Sequence, residues 1–422
     1  MIYEYIEENK KDNIIFLVRN KFDYLKYFCY SIILLNFLII SFRNENHLNL
    51  KSYRRYINDC QKFNRYNRVI IRNKNPYLSI CLSSLNMENY IEANLLSIIN
   101  QSFQNFEIII INDKSEDNTE NIIKRMQKED DRIKIINHQE NLGVYRSRVE
   151  SILNAKGNYI ILMDPDDMFL NENLFQDLHY YNLEYNLDII EFTVYQIGEG
   201  TRYIFYPNNH FENHFHNFRK KLIEQPELSN LLFFIPGTYE YSHTICRNIW
   251  NKMINKKILL NMHKYIGNYY FNKFIITADD MFMNIIIYQL ANNYTNINLP
   301  GYLYNIRKIS MSRGEGGIYL KKIRIINHFY YFNIFYEYIK IYHKDRNYLF
   351  YEMKNLMHYI LFIIDYNLTE YIPKQIKFME KIREDKYTPY GFKSFLDELL
   401  LDFRKSDNKT KNNVYLNDTM LK

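Results

Sequence analysis

The 422-residue chain lacks the features that would place it in several functional classes. Its four cysteines, Cys29, Cys60, Cys81 and Cys246, are scattered without a C-x-x-C pair, which argues against a structural zinc site or a disulfide framework. Lys and Arg exceed Asp and Glu by a net charge of only +6. No dense basic run gathers that excess, so binding of nucleic acid has little support. Neither a G-x-S-x-G elbow nor a Walker sequence occurs, and the corresponding hydrolase and ATPase readings fall away. Trp250 is the only tryptophan, whereas Tyr (41) and Phe (29) abound. Ile, Asn and Lys are abundant too, so the aromatic content reads as codon bias and carries no argument for base or sugar stacking.

Long hydrophobic runs are also missing. The nearest is Tyr27 to Phe42, YFCYSIILLNFLIISF, shorter than the roughly 20 residues a full bilayer crossing wants. It is uncharged and flanked by Lys21, Lys26 and Arg43. With no small-residue cleavage site after it, the run reads as a short membrane anchor in preference to a removed signal peptide or a buried helix. Basic residues on both flanks leave its orientation open. Residues 1–43 are thus expected to form an anchoring segment, and the polar, basic 44–75 a stem.

A regular alternation follows. Leu78 to Leu82, Glu107 to Ile111, Ile133 to Ile136 and Tyr159 to Met163 are short apolar runs of strand length. Between them, Tyr90 to Gln101, Asn118 to Lys128 and Val144 to Ala155 carry helical spacing. Strand and helix in alternation predict an α/β fold with a mostly parallel sheet covered on both faces. Ligands bind such sheets at the carboxyl ends of the strands, where this chain places Ser83–Ser84, Asn112–Asp113 and Asp164–Asp167. The second half is less regular. A helix is expected after Trp250–Asn251–Lys252 and another after Asp279–Asp280; residues 316–404 read as a helical extension and 405–422 as a polar, disordered tail.

The turn M-D-P-D-D at Met163 to Asp167 suits a hard divalent cation such as Mn²⁺ or Mg²⁺, which takes carboxylate ligands and stabilises a departing diphosphate. Pro165 stiffens it. Taken singly, each acidic feature has a bland reading. The turn can be a solvated loop, Asp113 a cap for the helix at Asn118, and Asp279–Asp280 an N-cap pair opening Met281 to Leu290. Their placement at successive strand ends is harder to dismiss.

The motifs carry a resemblance. SICLSSLNMENYIEANLLSIINQSFQNFEIIIINDKSEDNT, NLGVYRSR and AKGNYIILMDPDD occur in the order seen in family 2 glycosyltransferases, which have the GT-A fold. IWNKMINKKIL, TADDMFMNIII and LYNIRKISMS are similar to that family's acceptor-side segments. The resemblance implies a domain over 76–315, with a nucleotide-binding half at 76–192 and an acceptor half at 193–315. It further implies that Ser83 and Asp113 contact the base, usually uracil, that Arg148 lies near the diphosphate, and that Asp164 faces the ribose or the metal. Asp166 and Asp167 would hold the metal. Asp280 would be the general base, its basicity helped by a neighbouring carboxylate and an apolar helix. Leu85, Val149 and Asp279 depart from the family pattern of an aromatic, an Asn and a Glu at those positions.

The expected activity is inverting transfer of a hexose or N-acetylhexosamine from a nucleotide sugar, with UDP the expected nucleotide, to a glycan, glycolipid or glycoprotein acceptor. The expected location is a membrane: Golgi or ER single-pass in a eukaryote, the cytoplasmic membrane face in a bacterium. Two alternatives stay open. One is an inactive GT-A-fold binding or scaffold protein. The other is a nucleotidyltransferase, although its glycine-rich, basic first loop is missing after Leu82. His210, His214 and His216 have no partner at a metal-site spacing and read as a surface loop. Arg313 to Gly317, RGEGG, reads as a mobile loop near the site, from which Ser312 or Arg313 could touch the diphosphate.

Overall fold

A computed structural model of the chain describes residues 75–198, 201–206, 222–224, 248–277 and 279–306, together with Asn327 and scattered helical positions between 377 and 401. The expected anchor at 27–42, nearly all of the stem, the histidines at 210–216, the 312–317 segment and most of the helical extension lie outside the described residues. No described helix is long and apolar enough to cross a membrane.

The first half follows the expected alternation. Strands β1 (Leu78–Ser84), β2 (Phe106–Asn112), β3 (Ile133–Asn137) and β4 (Tyr159–Met163) alternate with helices α1 (Ile91–Ile99), α2 (Thr119–Glu129) and α3 (Val144–Asn154). These strands are parallel and ordered β3-β2-β1-β4. Every residue of β2 is buried, which is why FEIIIIN shows no polar alternation. Ile108 and Ile110 pack with Leu95 and Ile98 of α1 and Ile123 and Met126 of α2 in one core cluster. Ile109 and Ile111 alternate with them and face the opposite side, where α3 lies. Glu107 is 3% exposed within this strand. It is satisfied by Ser79 Oγ, the Lys156 backbone N–H and Lys134 Nζ.

The second half extends the same sheet. β6 (Ile189–Gly198) and β10 (Asn293–Ile306) pair in parallel, while β9 (Lys252–Asn255) runs antiparallel between β4 and β6. β5 (Met168–Phe169) and β8 (Ile223–Glu224) pair antiparallel with β10, and β7 (Thr201–Tyr206) with β6. Among the described residues the result is one ten-stranded mixed sheet. Helices α4 (Leu174–Tyr185), α5 (Lys256–Phe271) and α6 (Asp279–Leu290) complete the described fold. The sequence reading expected a helix soon after Trp250; the chain first forms β9, and the helix starts at Lys256.

Strand order places the chemistry. The chain moves outward from β1 to β3 and then returns to the other side of β1 with β4. Such a reversal opens a crevice at the carboxyl ends of the central strands. Register puts Ser84, Asn112 and Asn137 level on that rim, with Met163 opposite Leu82. The residue after Met163 is Asp164.

Candidate active site

Asp113 stands at the end of β2, two inter-strand steps, or about 10 Å, from the strand that ends at Met163. It is 2% exposed. One carboxylate oxygen accepts from the Leu142 N–H at 2.8 Å, the other from the Gly143 N–H at 2.9 Å. The first also meets His138 Nδ1 at 2.7 Å, and His138 Nε2 lies 2.8 Å from Glu150 Oε2. The structure therefore gives Asp113 a job the sequence did not suggest: it holds the Leu142–Gly143 backbone that leads into α3, and does not cap the helix at Asn118. Gly143 is required there. Its φ is +91°, and a Cβ would come within 2.7 Å of the Ile275 carbonyl oxygen. The loops after β1 and β2 are laced together, Asn86 N–H to Ser115 Oγ and Glu116 N–H to Asn86 Oδ1. Ser83 is half-buried at the end of β1, and the fully buried hydroxyl of Ser84 has no protein partner.

Helix α3 carries Arg148 to the centre of the rim. Its Nη2 donates to Asp164 Oδ1 at 2.7 Å and its Nη1 to Asp279 Oδ2 at 2.5 Å. Burial opposes the charge on Arg148, but Asp279, Asp164 and Asp280 outweigh it and hold the guanidinium firmly cationic. One side chain thus joins the β4 turn to the first turn of α6, the segment with Asp279 and Asp280. Asp279, expected only as a shortened stand-in for Glu, is the buried partner at 3% exposure. Asp280 beside it is half-buried. Arg148 itself is 8% exposed and committed to these carboxylates, whereas the resemblance set it against a diphosphate.

The acidic turn is held from below. Asp167 is 1% exposed. Its Oδ2 accepts from Tyr302 Oη at 2.7 Å and its Oδ1 from the Asn305 N–H at 2.8 Å. Burial first, then the negative Asp166 and Asp164, push its carboxyl well above the usual carboxylate range, while Asn305 and Tyr302 pull the other way. Both oxygens of Asp167 face protein donors, so its geometry is that of an anchor for the turn, in contrast to the metal ligand expected of it. Asp164 and Asp166 are half-buried. The Asp166 carbonyl accepts from Asn305 Nδ2 at 3.3 Å. Trp250 stacks on both Tyr302 and Tyr304, with ring centroids 4.7 and 5.1 Å away.

Among the described residues, no three His, Cys, Asp or Glu side chains converge as a metal cage. A hard cation that keeps waters and binds substrate phosphates needs only one or two protein carboxylates. Asp164 and Asp166, on one Pro-stiffened turn at the rim, fit that requirement.

Comparison with known proteins decides the class. Residues 79–250 match the family model described as Glycosyl transferase family 2. Over that stretch the chain is similar to family 2 glycosyltransferases. Glycosyltransferase GlyA of Streptococcus pneumoniae is 26% identical over 240 residues, which are 56% of this chain and 31% of that protein. An uncharacterized glycosyltransferase of Haemophilus influenzae is 35% identical over 105 residues, 25% of this chain and 42% of that protein. The chain therefore spans less than half the length of each of these two relatives. The crystal structure of S. aureus TarS superposes with a TM-score of 0.50 at 16% identity, covering 79% of this chain and 53% of that one. That likeness shows the GT-A type of fold.

Sequence reasoning missed the residues that build the site from beneath: His138, Asn94, Tyr302 and Asn305. Asn94 and Asn305 lie inside the quoted motifs and Tyr302 just before LYNIR, but nothing in those motifs assigned them a role; His138 lies outside them.

Proposed function

We propose that this chain transfers a hexose or N-acetylhexosamine from a nucleotide sugar to an acceptor hydroxyl, with inversion. The observation that carries the reading is the double ion pair of Arg148. It draws the acidic turn after β4 and the carboxylates of α6 to one place on the sheet rim, as a donor site facing a base requires. Uridine diphosphate is the leaving group that the family resemblance implies, and glycans, glycolipids or glycoproteins are the acceptors.

Asp166 and Asp164 are the pair proposed to hold Mn²⁺ or Mg²⁺, which when bound neutralises charge on the departing diphosphate. Asp167 keeps that turn in place through Tyr302 and Asn305. Asp113 and Ser83 line the nucleotide end. Asp113 acts there by fixing the Leu142–Gly143 backbone and, with it, the register of α3. Asp280 is the base that takes the acceptor proton as the hydroxyl attacks the anomeric carbon. Asp279 is hydrogen-bonded to Arg148; Asp280, beside it in the first turn of α6, is the carboxylate proposed for proton transfer.

The test is a panel of nucleotide sugars incubated with the chain and Mn²⁺. Release of nucleoside diphosphate from one of them supports transfer. Release of pyrophosphate instead would make the chain a nucleotidyltransferase, and binding without any release would make it a scaffold.

A further inference from the structure

Helix α1 sends a polar stripe into an otherwise apolar core. Asn94, Ser97 and, just beyond the helix end, Gln101 stand at i, i+3 and i+7, which is one helix face. Asn94 is fully buried and Gln101 is 1% exposed. All three reach one stretch of chain. Asn94 Nδ2 donates to the carbonyl oxygens of both Asp164 and Asp167, at 3.0 and 2.8 Å. Ser97 Oγ accepts from the Phe169 N–H at 3.1 Å. Gln101 donates to the Asn171 carbonyl at 2.8 Å and accepts from the Phe175 N–H at 3.2 Å.

Asn94 is the member with a cost attached. Its Oδ1 is buried without a partner, which disfavours folding. An apolar side chain would avoid that cost among neighbours such as Ala93, Leu95 and Ile98. What the amide supplies instead is a clamp across the acidic turn. One NH₂ group holds the carbonyls of its first and last aspartates, with Pro165 and Asp166 between them. The span between those carbonyls fixes where the Asp164 and Asp166 side chains leave the backbone.

We infer that Asn94 is a positioning residue for divalent-cation binding: it sets the shape of the turn that presents Asp164 and Asp166. The inference rests on the proposed glycosyl-transfer reading and deepens it. Asn94 touches neither donor nor metal in this account; it acts through the turn backbone, as outer partners of metal ligands do.

A reporter is built in. Trp250, the sole tryptophan, stacks on Tyr302, whose hydroxyl is bonded to Asp167. With uridine diphosphate present to supply the phosphate ligands, paramagnetic Mn²⁺ bound at the turn will quench its fluorescence without turnover. The full chain and the Asn94→Leu variant are titrated with Mn²⁺, and urea unfolding midpoints are recorded alongside. The expected result is saturable quenching in the unaltered chain and a dissociation constant weakened by about 10-fold or more in Asn94→Leu. Asn94→Ser, which can reach at most one of the two carbonyls, gives an intermediate value and decides the matter if the leucine variant does not fold. A lowered unfolding midpoint with an unchanged Mn²⁺ constant overturns the inference, since a merely structural residue would behave so. Absence of quenching in the unaltered chain overturns the metal reading itself, and this inference with it.

Discussion

Replacing Arg148 with methionine should be among the costliest single changes in the chain. The guanidinium bridges Asp279, whose side chain is 5% exposed, and Asp164, whose side chain is 28% exposed. Methionine retains much of the apolar stem but strands Asp279 as a buried, uncompensated charge. Breaking a buried pair from one side costs about 3–5 kcal/mol. Asp164 regains water and adds no more than about 1 kcal/mol. Urea denaturation reads the loss as a fall in midpoint at constant slope. A double-mutant cycle sharpens the test: Asp279→Asn in the Arg148→Met background removes the stranded charge, so the pair should lose less than the sum of the singles, with a coupling of about 1–3 kcal/mol. A single-variant loss below about 1 kcal/mol, or additivity within about 0.5 kcal/mol, would refute the argument that this cation ties the two halves of the site together.

Three further outcomes follow from the same geometry. Tyr302→Phe removes the hydroxyl that donates to buried Asp167, and should lower stability by about 1–3 kcal/mol in the same urea assay. Glu107 has a carboxyl that burial would raise but that Lys134, the Lys156 N–H and Ser79 together hold below its ordinary value of 4.5. Its stabilisation is therefore present above that ordinary value and lost as pH falls through the depressed one. Glu107→Gln should flatten this acid limb in unfolding midpoints measured across falling pH; an unchanged limb would show that Glu107 is not its source. Asp280→Asn should slow acceptor-dependent transfer by about 10²–10⁴-fold with circular dichroism unchanged, and near-normal transfer would move the base role elsewhere.

The first half of the sheet was legible because β1, β2 and β4 are buried on both faces and read as apolar runs separated by helices. The second half was not, for reasons visible in its residues. β6 carries Glu191 and β9 carries Lys252, both fully buried. They are reconciled by each other, by Tyr288, Tyr294 and Asn296 from distant segments, and by Asn248 and Asn251 just before β9. β10 contains Pro300 and Gly301, which argue against a strand in sequence; its pairing with β6 shifts register around Pro300. The site divided in the same way. Asp113, Asp164, Asp166 and Asp280 were legible as residue types at strand and helix ends. That Asp113 would hold the backbone leading into α3, that Asp167 would turn inward to Tyr302, and that Asp279 would capture Arg148 depend on partners brought together only by the completed sheet.

The most direct trial of the account is Mn²⁺-dependent transfer by Asp166→Ala beside the unaltered chain. Asp166 is half-buried at the rim, so the variant should fold as before and lose metal-dependent product formation. Product formed by Asp166→Ala at the rate of the unaltered chain would contradict the claim that the turn after β4 holds the donor through a cation.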